Sequence, residues 1–132
     1  MVLDDEDSGL IRVGGSLLTI NFLMACYVLE TFHKKLRPEG VIDYFYGRSP
    51  GGKNIYWNFY EWSATMNGHI PDGQRRLDCP LNCFYSLAMQ SLANICDALG
   101  KTEYAADLRA RVESLNAAIA RVFYNPETRL FE

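Results

Sequence analysis

The clearest pattern along the chain is a pair of apolar stripes with the spacing of an α-helix. The first stripe consists of Leu81, Phe84, Ala88, Leu92, Ile95 and Leu99. The second consists of Ala105, Leu108, Val112, Leu115, Ile119 and Val122. Pro80 suits the first turn of one helix, Gly100 suits its end, and Thr102 can cap the next helix. The pattern therefore predicts two helices joined at Gly100-Lys101 as an antiparallel hairpin, with both stripes facing the core.

A further helix is predicted over residues 17–36, with Ser16 as its cap. This stretch is apolar nearly all round, so we expect it to be buried on more than one side. His33 and the basic residues that follow it suit the negative end of the helix dipole. Residues 1–16 are acidic and contain the pair Gly14-Gly15, which predicts a flexible lead-in. The domain proper then spans residues 17–132.

Between the helices, residues 41–78 follow neither the helical nor the strand period. This stretch predicts a long irregular loop, and long ordered loops in compact domains are usually functional. Eight of the 17 aromatic side chains lie within it: Tyr44, Phe45, Tyr46, Tyr56, Trp57, Phe59, Tyr60 and Trp62. Near the end of the chain, residues 125–128 predict a turn, and Arg129-Leu130-Phe131 predicts the start of an extended segment.

Composition and charge exclude several classes of function. With 13 basic and 16 acidic side chains the formal net charge is −3, and no run of like charges predicts a nucleic-acid partner. No apolar stretch approaches the ~20 residues of a membrane span. The acidic start of the chain does not resemble a secretory signal, so we expect a cytoplasmic protein without a membrane partner.

Three chemical motifs are weak when their context is considered. Residues 47–54 approach the spacing of a phosphate-binding loop, but Asn54 stands where a Ser or Thr should bind Mg²⁺. His69 with Cys79, Cys83 and Cys96 is not spaced as a zinc site, and nothing places a histidine beside a cysteine nucleophile. We therefore expect no cofactor and no metal, and we interpret the four cysteines as reduced, buried thiols.

The aromatic segment carries the most chemical content. Carboxylates and amides such as Asn58 and Glu61 alternate with its aromatic rings. This combination suits carbohydrate, whose C–H faces stack on aromatic rings while its hydroxyls make directional hydrogen bonds. The alternative is that Trp57 and Trp62 fill a helical core and that Glu61 is satisfied by a backbone amide.

An ordered series of motifs extends this interpretation. In chain order the motifs are Gly40-Val41-Ile42, Trp57-Asn58-Phe59-Tyr60-Glu61-Trp62, Leu81-Asn82-Cys83-Phe84-Tyr85, Leu99-Gly100 and Asn125-Pro126-Glu127-Thr128-Arg129-Leu130-Phe131. Over residues 38–132 the series resembles the α-L-rhamnosidase-type six-hairpin glycosidases. The chain departs from that family at Glu61, where the family usually has Asp, and at Arg129, where it usually has Gly.

The resemblance implies an all-α fold of antiparallel helical hairpins, a fragment of an (α/α)6 toroid. It also implies inverting hydrolysis of terminal sugars by two carboxylates, neither of which is legible in this segment. The catalytic residues thus stay unknown, and we expect the chain alone to be inactive. Its implied partners are carbohydrate and the remainder of the toroid, or a second copy through self-association.

Six residues are the candidates for substrate binding under this interpretation. Trp57 and Trp62 are the stacking platforms, and Asn58 and Glu61 are partners for sugar hydroxyls. Asn82 and Tyr85 are expected to line the pocket from an inner helix. The competing interpretation is a non-catalytic helical protein-interaction module, in which the apolar first helix docks on a partner.

Overall fold

The computed structural model describes residues 8–43 and 77–131, with side chains from residue 21 onward in the first stretch. The elements are α1 (Ser8–His33), α2 (Cys79–Ala98), α3 (Thr102–Phe123), β1 (Tyr124–Asn125) and β2 (Leu130–Phe131). Helices α2 and α3 pack as an antiparallel pair, and β1 pairs antiparallel with β2. The described part of the chain is thus mostly helical, which confirms the all-α prediction at that level.

The ends of α2 follow directly from local chemistry. The Asp78 side chain caps the helix by accepting a hydrogen bond from the Leu81 amide at 3.0 Å, and a proline lies in the first turn. At the other end, Gly100 adopts a φ of +69°, and the Lys101 amide donates to the Cys96 carbonyl at 2.8 Å. This bond and the left-handed Gly100 are typical of a Schellman motif, which requires the conformation that glycine adopts easily. The predicted hairpin connection is confirmed.

Thr102 does not have its predicted capping role. The N-cap position of α3 belongs to Lys101, which makes no side-chain capping hydrogen bond. The Schellman turn leads into the new helix without an intervening residue, because Lys101 both ends the turn and begins the helix. The capping prediction for Thr102 is therefore wrong.

The core of the hairpin confirms one predicted stripe and corrects the other. On α3 the predicted stripe is buried except for Val122, which is half-buried against the core. On α2 only Leu81 and Leu92 of the predicted stripe are buried, and Phe84 is 60% exposed. The face that packs on α3 instead contains Leu81, Asn82, Tyr85, Ser86, Met89, Leu92, Ala93 and Cys96. Both sets have helical spacing and share Leu81 and Leu92, so periodicity alone could not separate them.

Helix α1 differs from its prediction at both ends and on its surface. It begins at Ser8 and continues through Gly14-Gly15, so residues 8–16 are helical where a flexible lead-in was predicted. Glycine inside a helix costs only about 1 kcal/mol relative to alanine, and flanking residues can offset that loss. Of its described side chains only Leu29 is buried, whereas Leu23, Met24, Tyr27 and Val28 are exposed. The expectation of burial on more than one side is therefore wrong over residues 21–33.

A short connector, residues 34–43, leads the chain from the end of α1 back to the core. Leu36 and Ile42 form an antiparallel bridge, and the Arg37 amide donates to the Val41 carbonyl at 2.9 Å. Gly40 turns the connector with a φ of +87°, and a Cβ at this position would lie 3.0 Å from that of Ala118. The close approach explains a glycine here, and it allows Val41 and Ile42 to be fully buried.

The predicted turn after α3 is confirmed. The Asn125 side chain accepts a hydrogen bond from the Glu127 amide at 2.9 Å, and the Arg129 amide donates to the Asn125 carbonyl at 2.8 Å. Arg129 has a φ of +59°, the left-handed conformation that favours glycine. The turn aligns Tyr124 with Phe131, whose ring centroids lie 5.4 Å apart.

All four cysteines are free thiols, but they are not equally buried. Cys96 is buried, Cys26 and Cys79 are half-buried, and Cys83 is exposed. The expectation of buried thiols therefore holds fully for Cys96 alone. Within residues 8–43 and 77–131, none of the helices combines the length and hydropathy needed to cross a bilayer.

Candidate functional site

The six predicted substrate-binding residues fall into two groups. Trp57, Asn58, Glu61 and Trp62 lie outside the described residues. Asn82 and Tyr85 lie on α2, and both face inward, with exposed fractions of 0% and 4%. A direct contact of either with a sugar stays a prediction, but the structure shows what each side chain binds.

The Asn82 carboxamide binds three backbone groups. Its Oδ1 accepts a hydrogen bond from the Ile42 amide at 2.7 Å. Its Nδ2 donates to the Ile42 carbonyl at 3.1 Å and to the Asp78 carbonyl at 2.9 Å. Both of its amide protons are therefore used, in a fully buried environment where such bonds are expensive to lose. Asn82 thus joins the connector after α1 to the start of α2.

The residues held by Asn82 flank residues 44–76, which contain the aromatic segment. We call the set of Ile42, Asp78 and Asn82 the neck. Beside it, the Asp43 amide donates to the Lys35 carbonyl at 2.9 Å, and the Arg37 guanidinium lies 3.3 Å from the Asp43 carboxylate. The chain therefore reaches residue 44 from a backbone that several bonds fix in place.

Tyr85 links α2 to the end of α1. Its hydroxyl lies 3.2 Å from Nδ1 of His33, and its ring stacks on Phe32 with centroids 6.0 Å apart. Burial raises the pKa of Tyr85 to about 12. The charge of Arg111 lowers this pKa by a smaller amount, and the charge of Glu30 raises it. At neutral pH the hydroxyl is therefore protonated and acts as a hydrogen-bonding group rather than as a base.

A network of charged side chains lies close to Tyr85. The Arg111 guanidinium contacts Glu30 on α1 at 2.8 Å and Asp107, one turn earlier on α3, also at 2.8 Å. A second arginine of α3, Arg109, contacts Asp97 on α2. These contacts between helices could not be predicted from the sequence, because spacing along one helix carries no information about its neighbours.

The sequence carried only a weak signal for the contacts between α1 and the hairpin around Tyr85. Among these residues, the sequence predicted a functional role for Tyr85 alone. Its neighbours His33, Glu30 and Arg111 are polar residues on helices with strong apolar patterns. The contacts of these residues with Tyr85 and with one another hold α1 against the hairpin. Within the described residues, no group of three or more His, Cys, Asp or Glu side chains is arranged to bind a metal.

A small open groove lies on the other side of the hairpin, between α2, α3 and β2. Its volume is about 250 Å³, and its lining residues are Cys83, Ser86, Asn116, Ile119, Ala120 and Phe131. The Ser86 hydroxyl donates to Asn116 Oδ1 at 2.7 Å and accepts from Gln90 Nε2 at 3.2 Å. These bonds satisfy the Ser86 hydroxyl, so the groove presents mainly apolar surface.

Comparison with known proteins adds no assignment, since no protein family, characterised protein or solved structure matches the chain.

Proposed function

We propose that this chain is a segment of a glycoside hydrolase of the α-L-rhamnosidase type, in which residues 44–62 provide an aromatic wall for a sugar. The observation that carries the proposal is the ordered series of motifs along residues 38–132. In this proposal the wall binds sugar, and the pair of carboxylates for inverting hydrolysis lies elsewhere in the toroid.

The geometry of the turn between β1 and β2 supports the alignment of the last motif. In the family, glycine usually occupies the position of Arg129, and here Arg129 has a φ of +59°. A backbone in the left-handed region is what a glycine at this position would accommodate without strain. The structure of the turn thus fits the family pattern at a position where the sequence departs from it.

The exposed side of α2 supports the idea of neighbouring hairpins. Phe84, Ile95 and Leu99 are each about half exposed or more, and they belong to the apolar stripe that does not pack on α3. A helix with two apolar faces is expected where a second layer of helices covers it. In the proposed toroid, the adjacent hairpin would cover this stripe.

Tryptophan fluorescence tests the proposal selectively, because the only two tryptophans, Trp57 and Trp62, both lie in the proposed wall. Titration with methyl α-L-rhamnoside should give a saturable change in emission, and Trp62→Phe should weaken it. Phe131→Leu, which removes an exposed ring outside the segment, is the matched control and should bind as the wild type does. The proposal fails if neither fluorescence nor calorimetry detects saturable binding of this glycoside or of other common terminal sugars.

A second candidate function, a helical protein-interaction module, is favoured by one observation. Leu23, Met24 and Tyr27 are more than half exposed on one side of α1. Contiguous apolar surface of this kind often marks a protein interface. Sedimentation that shows a stable homodimer which Tyr27→Glu dissociates, without any sugar binding, would favour this function over the first.

A further inference from the structure

Two of the four thiols lie one turn apart on α2. Cys79 is the first residue of the helix and Cys83 follows four residues later, so both side chains lie on the same side of the helix. Cys79 is half-buried, and Cys83 is exposed and lines the groove with Ile119 and Phe131. A side-chain hydrogen bond links the two thiols. The pair therefore places two sulfur ligands together where solvent reaches them through Cys83.

The spacing of this pair suits a bridging ion better than a disulfide. Side chains at positions i and i+4 of a helix have Cβ atoms about 5–6 Å apart, whereas a disulfide requires about 3.5–4.5 Å. A bond between a metal and a thiolate is about 2.3 Å long, so an ion bound in line holds two sulfurs about 4.6 Å apart. A disulfide would have to distort the first turn of α2, which the bond from the Leu81 amide to Asp78 keeps regular.

The number of available ligands indicates the kind of ion. Within residues 8–43 and 77–131, no third His, Cys, Asp or Glu side chain joins the pair to form a metal-binding group. Zinc prefers four ligands in tetrahedral geometry, and water would have to supply half of them here. Copper(I) is a soft ion that prefers thiolate ligands, and two sulfurs in line satisfy it. The spacing argument against a zinc site therefore does not apply to copper(I).

We propose that Cys79 and Cys83 form a copper(I) site in which the ion lies between the two sulfurs. Binding converts one Cu⁺ and two thiols into a bis-thiolate complex of charge −1 and two released protons. Burial raises the pKa of Cys79 to about 12, so the ion must displace its proton, as metal ions bound by thiols do. The positive end of the α2 dipole favours the negative charge of the complex. The site is independent of the proposed sugar binding.

Four variants test the copper site. Cys79→Ser and Cys83→Ser each remove one sulfur ligand. Cys26→Ser is the matched control, because Cys26 is also a half-buried free thiol but lies on α1. The double variant Cys83→Ser/Phe84→Cys keeps four thiols but moves one of them by one position, about 100° around the helix. Phe84 is 60% exposed, so its replacement leaves the core intact.

Copper(I) itself is the probe, added without oxygen to the reduced chain in competition with a chromogenic copper(I) chelator. The absorbance of the chelator complex measures how much copper the chain withholds. We expect the wild type and Cys26→Ser to bind one equivalent with the same affinity. We expect Cys79→Ser, Cys83→Ser and the double variant to lose at least a hundredfold in affinity. An equal concentration of Zn²⁺ should displace no copper from the wild type.

Several results would refute the copper site. It is refuted if the wild type binds no copper, or if Cys83→Ser binds within threefold of the wild type. It is also refuted if Cys26→Ser loses as much affinity as Cys83→Ser, or if the double variant binds as the wild type does, because two thiols at any spacing would then suffice. Circular dichroism checks that each variant is folded. If Cys79→Ser does not fold, Cys83→Ser and the double variant decide the question, since both change exposed residues.

Discussion

The α2–α3 hairpin and helix α1 are stabilised in different ways. The hairpin buries a continuous stripe on both helices, including Met89, Ala93 and Leu108, and a Schellman motif fixes its turn. Helix α1 buries only Leu29 fully among its described side chains. Its other links to the hairpin are partly buried apolar side chains, such as Phe32, and polar contacts from Glu30 and His33. The hairpin is therefore a packed unit, and α1 contacts it through an interface that is smaller than the one between α2 and α3.

This difference shows how two kinds of information specify the structure. Apolar periodicity and helix-ending glycines are local signals, and they specify the two helices of the hairpin and their connection, although not which face of α2 packs on α3. The position of α1 depends on side chains that meet only after folding, for example Glu30 with Arg111. The two regions can be compared by perturbing each of them separately.

The largest expected difference comes from cavities in the two regions. Leu108→Ala, at a position 1% exposed on α3, should lower the free energy of unfolding of the whole chain by about 2–5 kcal/mol. Leu29→Ala, on α1, should cost about 2 kcal/mol, at the low end of such losses, and should mainly release α1. Chemical denaturation monitored by circular dichroism measures both. An equal global loss from the two variants would contradict the comparison.

Alkaline pH should weaken the attachment of α1. Burial raises the pKa of both Tyr85 and Tyr104 to about 12. Each has a partner on α1, which is His33 for Tyr85 and Cys26 for Tyr104. The unfolded tyrosine titrates near pH 10, so the folded state holds its proton more tightly. The resulting stability is complete below pH 10 and is lost as the pH rises through 12, by about 1.4 kcal/mol per pH unit for each proton.

Tyr85→Phe tests this pH dependence. The slope of unfolding free energy between pH 10 and 12 should be shallower in this variant, because one proton no longer contributes. Adding Tyr104→Phe should flatten the slope further. Tyr124→Phe, which changes an exposed tyrosine on β1, is the control and should leave the slope unchanged. A slope that is the same in all variants would show that neither buried tyrosine is responsible.

The turn between β1 and β2, which follows the hairpin, can be stabilised without affecting α1. Arg129→Gly should raise the unfolding free energy by up to about 1 kcal/mol, because it relieves the left-handed strain at a φ of +59°. The thermal midpoint of the variant measures the gain. The substitution Thr128→Gly, at the preceding position of the turn, is the control and should not stabilise. A lower midpoint for Arg129→Gly would mean that the arginine side chain contributes more than its backbone costs.

The smallest effect concerns the ion pair that joins the regions. A double-mutant cycle with Glu30→Gln and Arg111→Gln should give a coupling energy of about 0.5–1 kcal/mol, since Arg111 is partly buried. The same cycle at Asp97 and Arg109, an exposed pair inside the hairpin, should give a smaller coupling energy. If the second pair couples more strongly than the first, then the Glu30–Arg111 contact does not hold α1 in place.

Residue patterns predicted the parts of the fold that local chemistry controls. The hairpin, its Gly100 turn and the turn at Asn125 follow from spacing and from turn residues. The packed face of α2 could not be predicted because two overlapping apolar stripes compete, and the start of α1 could not because Gly14-Gly15 is also typical of a break between elements. Of the candidate site, Asn82 and Tyr85 were selected as chemically notable. Their partners Ile42 and His33 could not be predicted, because they lie 40 and 52 residues away in sequence.

Hydrogen exchange of the whole chain measures the central structural claim most directly. The amides of α2 and α3 should exchange slowest and together, by global unfolding, whereas those of α1 should exchange faster through local release. The Ile42 amide, although it lies in the connector after α1, should be protected like α2, because its acceptor is the buried Asn82 side chain. Exchange of α1 as slow as that of the hairpin, or unprotected exchange at Ile42, would contradict the account.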